Sequence, residues 1–185
     1  AGRADERVRL AAPPYAVLTL ADHASGTDRI AEVAEQRGWA ASTIVVNVQG
    51  DEPQLPPSLI AQVANLLERN EQADIATLCT PIEGLREFLD PNAVKVVFDA
   101  HGRAMYFSRA PIPWHREGAA QGLPSQTRCD GAQRHLGLYA YRVDALRRLS
   151  ALAPSELETI EKLEQLRALQ AGMQIMIEVA TTSKR

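Results

Sequence analysis

The sequence predicts an α/β sandwich, and three observations carry the prediction. Through the first half of the chain, short runs of apolar and β-branched residues alternate with segments of helical periodicity, the pattern of strands and helices laid in turn on one sheet. Thr43–Val48 is apolar or nearly so on both faces, as a strand covered from two sides must be. In the middle third, Val94–Asp99 and Ala104–Phe107 flank a turn containing His101-Gly102 and read as a hairpin. Together these describe a Rossmann-like three-layer sandwich: a mainly parallel sheet with helices on both faces, and an antiparallel arm projecting from the middle third.

Taken in order, Asp5–Ala12 reads as the remnant of a helix closed by Pro13-Pro14, and Tyr15–Thr19 as a short apolar strand. Ser25 and Thr27 suit a helix N-terminus, Ile30, Val33 and Ala34 its inner face, and Gly38 its stop. After the strand Thr43–Val48, Gly50 permits a sharp turn and Pro53 bars further ladder pairing. Pro56-Pro57-Ser58 starts a helix with Leu59, Ile60, Val63, Leu66 and Leu67 at helical spacing, and Asp74–Thr80 is the next strand. A short helix near Gly84–Leu89 precedes the hairpin. Residues Pro111–Gln133 form a long Pro/Gly/Gln-rich connection of the kind that carries function or moves. Arg134–Arg142 is a strand, Asp144–Leu149 a helix, Ser155–Ala171 one amphipathic helix with Ile160, Leu163, Leu166 and Leu169 as its core stripe, and Gln174–Val179 a last strand.

A chain of 185 residues suffices for one domain with a real core. The net charge of −3, with acidic and basic residues interspersed, argues against a nucleic-acid partner, since no basic tract is present to release counterions. No apolar run reaches the length of a membrane span, and no secretory signal is visible. Cys79 sits in an apolar run as a core thiol and Cys129 in a polar loop, which fits a reducing cytoplasmic setting without a cysteine-held metal.

Five segments bear groups suited to chemistry. Asp51 and Glu52 follow the carboxyl end of Thr43–Val48, where α/β sheets place their ligand crevice; the pair suits Mg²⁺ held with substrate phosphates, or is a solvated acidic turn. Ser25-Gly26-Thr27 offers small side chains and backbone N–H groups at a helix start, suited to a phosphate or a base edge, or is a plain cap. Arg109 ends a strand in an apolar setting and suits either a substrate carboxylate or a structural ion pair. Along Arg134–Tyr141, alternation puts His135, Gly137, Tyr139 and Tyr141 on one face, which suits a polar pocket or a half-buried histidine among surface tyrosines. Glu164 and Gln165 flank the last helix's core stripe and face either a sugar-like ligand or solvent.

In order, these segments resemble one family. His23–Arg29 resembles its H-x-S-G-T-D/E-R, Val46–Pro53 its N-V-Q-G-D-E-P, Pro91–Lys95 with Tyr106–Trp114 its P-N-x-V-K and Y-F-S-R-A-x-I-P-W, Arg134–Tyr139 its R-H-x-G-x-Y, and Glu161–Arg167 its E-x-L-E-Q-L-R. The family is the 3-deoxy-D-manno-octulosonate (Kdo) cytidylyltransferases of Gram-negative bacteria, and the likeness runs from about Ala21 to Gly172. It implies transfer of a cytidylyl group from CTP to the anomeric hydroxyl of Kdo, giving CMP-Kdo and pyrophosphate for lipopolysaccharide biosynthesis, with Mg²⁺ and as a cytoplasmic homodimer. It further implies that Asp51 is the metal ligand and that Gln49 and Gly50 shape the sugar and nucleotide contacts. His135, Tyr139, Glu164 and Gln165 would hold Kdo, with Arg109 as a further carboxylate partner, while Ser25, Gly26 and Thr27 would lie by the cytidine. The strands around Tyr106–Trp114 and Arg134–Tyr141 would form the homodimer interface.

The sequence departs from the family in three places. The family's glycine-rich, basic phosphate loop has no counterpart before Ala21, its G-V-D-T-P-x-D segment with a second metal ligand has none at Thr182–Arg185, and Leu20 stands where many members carry an arginine. These residues taken alone are therefore expected not to turn over CTP. A cytidylyltransferase for sialic acid or an 8-amino Kdo analogue, and a module that binds without turnover, are the alternatives.

Overall fold

The computed structural model describes residues 16–23, 25–48 and 55–181. Six strands and six α-helices are defined within them: α1 (Gly26–Gln36), β1 (Ile44–Asn47), α2 (Pro57–Glu68), β2 (Ile75–Pro81), α3 (Leu85–Leu89), β3 (Lys95–Phe98), β4 (Ala104–Ser108), β5 (Gln133–Arg142), α4 (Val143–Ser150), α5 (Glu156–Glu161), α6 (Gln165–Gln170) and β6 (Ile175–Val179). The sheet runs β4-β3-β5-β2-β6, with β1 also on β5.

β5 is the spine. Its C-terminal half pairs with β1 from Ile44↔Arg142 to Asn47↔Tyr139, and its start pairs with β3 at Lys95↔Arg134. Along its other side it pairs with β2. Thr77 faces Tyr139 and the next residue, Leu78, faces Leu136, so Gly137 and Leu138 form a bulge in β5. Apolar residues cover both faces. On one, Leu146, Leu149, Leu166 and Ile175 pack with Tyr139 and Tyr141; on the other, Leu59, Val63, Leu66 and Leu67 of α2 pack on Ala76, Leu78, Leu138 and Ala140. The helix periods read from the sequence are therefore the buried ones in α2, where Pro57 stands at the N-terminus without a donor to waste. Gly102 turns the β3–β4 hairpin at a φ of 79°; a Cβ there would stand 2.8 Å from the Ile177 carbonyl oxygen.

Several expectations are corrected. The sheet is mixed: among the described residues β2–β6 is the one parallel pair, because β5 returns between β1 and β2 and runs antiparallel to both. Residues 16–20 are not a strand; Leu20 N–H donates to Glu32 and the Leu18 carbonyl accepts from Gln36, so α1 side chains hold this segment. β1 is half-buried rather than buried, since its far edge carries no partner among the described residues. The expected helix over Ser155–Ala171 is two helices broken at Lys162, and Ile160, expected in its core stripe, is 70% exposed. The helical remnant at Asp5–Ala12 lies outside the described residues.

The break at Lys162 arises from tertiary bonding, since neither Glu161 nor Lys162 is a poor helix former. Ser155 opens α5 with a capping box to Glu158. Arg109 then donates through Nε to the Glu161 carbonyl at 2.7 Å and through a terminal nitrogen to the Lys162 carbonyl at 3.5 Å, taking up acceptors that a continuing helix would use. Lys162 adopts the left-handed conformation (φ 54°, ψ 47°), at a cost of about 1–2 kcal/mol for a residue with a Cβ.

Candidate active site

A cavity of about 1060 Å³ opens between α1, the C-terminal end of β1, β5 and the break before α6. That is ample for a polar metabolite. Gly26, Thr27, Asn47, His135, Tyr139, Glu164 and Gln165 line it.

The bulge in β5 sets the aromatic wall. His135 and Tyr139 lie with ring centroids 5.2 Å apart, Tyr139 stacks on Tyr141 at 5.7 Å, and Phe107 meets His135 edge-on at 5.1 Å. Burial pushes the His135 pKa down to about 3, so the ring is neutral, and it holds the Tyr139 and Tyr141 hydroxyls well above their ordinary range, so both stay protonated. The His135 Nε2 lies 2.9 Å from the Thr77 hydroxyl.

The acidic wall comes from the helix break. Thr27, 2% exposed, donates to Glu164 Oε2 at 2.9 Å. Glu164 Oε1 is buried without a hydrogen-bond donor among the described residues; the nearest cation, Arg167, is 3.9 Å away. Arg167 is committed elsewhere, with a fork onto Glu158 at 2.6 and 2.8 Å and a third bond to the Leu152 carbonyl at 3.1 Å. That fork holds the Glu158 carboxyl below its ordinary range. Gln165, 8% exposed, completes the wall beside Glu164.

The structure thus brings together eight of the residues singled out in the sequence: Gly26, Thr27, His135, Gly137, Tyr139, Tyr141, Glu164 and Gln165. Ser25 sits one residue outside the lining, its hydroxyl spent on capping: it accepts from Asp28 N–H at 3.1 Å and donates to the Asp28 carboxylate at 3.0 Å. Arg109 is not in the lining. Besides the Glu161 and Lys162 carbonyls it donates to the Pro91 carbonyl at 2.9 Å, and so ties together the two segments, 92–94 and 162–165, that do line it. Gln49, Gly50 and Asp51 lie outside the described residues, as does Glu52. The strand leading to them ends at Asn47, on the cavity wall. Among the described residues no group of three or more His, Cys, Asp or Glu is placed to hold a metal ion.

Sequence reasoning missed Asn47, Lys162 and Arg134 in the lining, and Thr77 behind it against His135. Arg134 pairs with Glu87 at 3.0 Å while its Nε is buried and unpartnered among the described residues. It stood beside His135 in the same alternating strand, and that adjacency was the available signal. Thr77 had none, since a threonine in an apolar strand needs no explanation beyond β-propensity.

The α/β domain thus holds a sizeable cavity walled by neutral hydrogen-bonding rings, a carboxylate and an amide, a lining whose chemistry suits a polar small molecule. Residues 8–175 match the family model described as cytidylyltransferase, and the chain belongs to that family. It is 55% identical over 165 residues to a 3-deoxy-manno-octulosonate cytidylyltransferase of Thioalkalivibrio sulfidiphilus, covering 89% of this chain and 65% of that protein. It is also 55% identical over 163 residues to the enzyme of the same name from Serratia proteamaculans, covering 88% of this chain and 64% of that protein. The chain therefore spans about 65% of the length of the curated relatives it matches. A solved structure of CMP:2-keto-3-deoxy-manno-octonic acid synthetase complexed with CTP superimposes with a TM-score of 0.80 at 35% identity, over 98% of this chain and 70% of that one.

Proposed function

We propose that the chain acts as a 3-deoxy-manno-octulosonate cytidylyltransferase, which joins Kdo to the cytidylyl group of CTP and releases pyrophosphate. One observation carries the reading: Thr27, His135, Tyr139, Glu164 and Gln165, from three separate stretches of sequence, converge on one cavity. The names of the relatives and of the CTP-bound neighbour agree with it.

In this reading the anomeric hydroxyl of Kdo attacks the α-phosphorus of CTP, the bond to pyrophosphate breaks, and the hydroxyl proton passes to solvent. Protein groups act mainly by binding and orientation. Glu164 accepts from sugar hydroxyls through the oxygen that has no donor among the described residues, His135 accepts through the ring nitrogen that has no partner among them, and the Tyr139 hydroxyl and Gln165 amide both donate and accept. Burial in the cavity strengthens each of these bonds by excluding competing water. Mg²⁺ commonly uses only one or two protein carboxylates together with substrate phosphates. Asp51 is the residue we assign to it, and the ion would supply charge neutralisation on the phosphates. We further infer a homodimer formed around Tyr106–Trp114, supported by Met105 and Trp114, apolar side chains left 65% and 45% exposed; Arg134–Tyr141, expected in the same interface, instead lies within the sheet, between β2 on one side and β1 and β3 on the other. Two free cysteines agree with a cytoplasmic setting, and no helix among the described residues is long and apolar enough to cross a membrane.

The test is product formation by the full-length protein with CTP, Mg²⁺ and either Kdo or sialic acid. Pyrophosphate and CMP-Kdo are expected with Kdo alone. Turnover with sialic acid but not Kdo would overturn the substrate assignment. Light scattering on the same preparation checks the dimer, which a monomer mass would rule out.

A further inference from the structure

Thr77 is fully buried in the middle of β2, and its hydroxyl has three neighbours across the β5 bulge. The Leu138 carbonyl lies at 2.8 Å, the Leu136 carbonyl at 3.1 Å and the His135 Nε2 at 2.9 Å. A threonine hydroxyl has one proton and two acceptor lone pairs. Both carbonyls are acceptors only, so the single proton must lie towards them; directed at the ring nitrogen instead, it would leave oxygen facing oxygen at 2.8 Å without a hydrogen between. Nε2 must then carry the proton and donate to the Thr77 oxygen. The ring is neutral, so its other nitrogen, Nδ1, holds a lone pair. Nδ1 has no hydrogen-bond partner among the described residues, and His135 lines the cavity.

We propose that Thr77 is a positioning residue that fixes the tautomer of His135, so that the imidazole presents an acceptor, and never a donor, to a hydroxyl of the ligand. The assignment rests on the sugar-site reading only for the identity of that ligand. The bulge is part of the device. With Gly137 and Leu138 looped out, two successive outward carbonyls of β5 come within reach of one side chain of β2, which a regular ladder does not allow. A neutral donor tautomer would compete with Gln165 and Tyr139 for the acceptor electrons of the same hydroxyls. An acceptor tautomer instead completes them, since each sugar hydroxyl both donates and accepts.

The experiment uses full-length protein as wild type, Thr77→Val and Thr77→Ser. Long-range proton–nitrogen NMR correlations of the imidazole, assigned by their loss in His135→Asn, read the tautomer without any ligand. Wild type and Thr77→Ser should show the proton on Nε2; Thr77→Val should show a mixed or Nδ1-protonated ring. Kdo titration should then give roughly five- to tenfold weaker affinity for Thr77→Val, the loss of about one neutral hydrogen bond, with Thr77→Ser within about twofold of wild type. The effect falls on KM for Kdo, with kcat and the KM for CTP little changed. A wild-type ring protonated on Nδ1 overturns the proposal, as does a Thr77→Val protein that keeps both the Nε2 proton and full affinity. If wild type shows the Nε2 proton but binds no Kdo, the substrate reading fails and the tautomer assignment stands. Should Thr77→Val not fold, the wild-type spectrum alone still decides the tautomer.

Discussion

Glu161 and Glu164 lie three residues apart, and the break at Lys162 places them in opposite settings. Glu161 has both oxygens bonded: one takes the Ser108 hydroxyl at 2.6 Å and the other takes the Arg109 N–H at 2.9 Å. Glu164 has one oxygen bonded to Thr27 and the other buried with no donor among the described residues. A carboxylate whose partners are all supplied by the fold is holding the fold. One that is buried and half-supplied carries an unmet desolvation cost, which a ligand donor can relieve. The arginines divide in the same way: Arg109 and Arg167 are spent on carbonyls and carboxylates, whereas Arg134 keeps a buried nitrogen without a partner among the described residues.

The largest effect comes from removing the arginine behind Glu164. Arg167→Met strips a buried fork from Glu158, the acid of the α5 capping box, and removes the nearest cation to Glu164. Leaving a largely buried carboxylate unpaired is expected to cost about 3 kcal/mol or more in urea unfolding. A loss below about 1 kcal/mol would mean that the fork is ornamental.

The pH dependence of stability sharpens the site side of the comparison. His135 has a folded pKa of about 3 against an ordinary value near 6.5. Between these limits the unfolded chain binds a proton that the folded protein refuses, so stability falls as pH drops from about 6.5 towards 3, and above 6.5 the residue contributes nothing to the slope. The limiting slope is about 1.4 kcal/mol per pH unit. In His135→Asn this part of the slope is expected to vanish; equal slopes for variant and wild type between pH 6 and 4 would show that the ring titrates freely.

Neutralising each acid in turn tests the contrast directly. Glu161→Gln is expected to lower stability by about 1–2 kcal/mol, because the amide turns a donor towards groups that are themselves donors. Glu164→Gln should alter stability by no more than about 0.5 kcal/mol, since the amide oxygen still accepts from Thr27, while Kdo affinity falls about tenfold. The reverse pattern would exchange the roles of the two residues.

How much of this was legible in the sequence follows from where each feature gets its energy. The helix α2 and the strand β2 were readable because local pattern and tertiary burial agree, with Leu59, Val63, Leu66 and Leu67 on one face. The alternation of His135, Gly137, Tyr139 and Tyr141 pointed to the aromatic wall. Strand direction was not readable, because periodicity says which residues face the core and nothing about which neighbour a strand joins; β5 entered between β1 and β2 from far along the chain. The break at Lys162 was not readable either. It contains no glycine or proline, and it exists because Arg109, more than fifty residues earlier, takes the carbonyls of the last turn. For the same reason Arg109 could be singled out but its task could not be told.

Ile160 offers the smallest effect and separates helical pattern from the break. A continuous helix would place it on the stripe with Leu163 and Leu166, and a charge there would be ruinous. In the broken geometry Ile160 is 70% exposed while Leu163 and Leu166 are 6% and 1% exposed. Ile160→Lys should therefore change stability by less than about 0.5 kcal/mol, as surface substitutions do, whereas Leu163→Ala should cost about 2–3 kcal/mol through lost burial and the cavity left behind. The two variants differ by three positions on one predicted stripe, so their unequal cost in the same denaturation experiment measures the break itself. Were Ile160→Lys to cost as much as Leu163→Ala, α5 and α6 would form one continuous helix in solution, and the half-supplied carboxylate of Glu164 would lose the geometry that turns it towards the cavity.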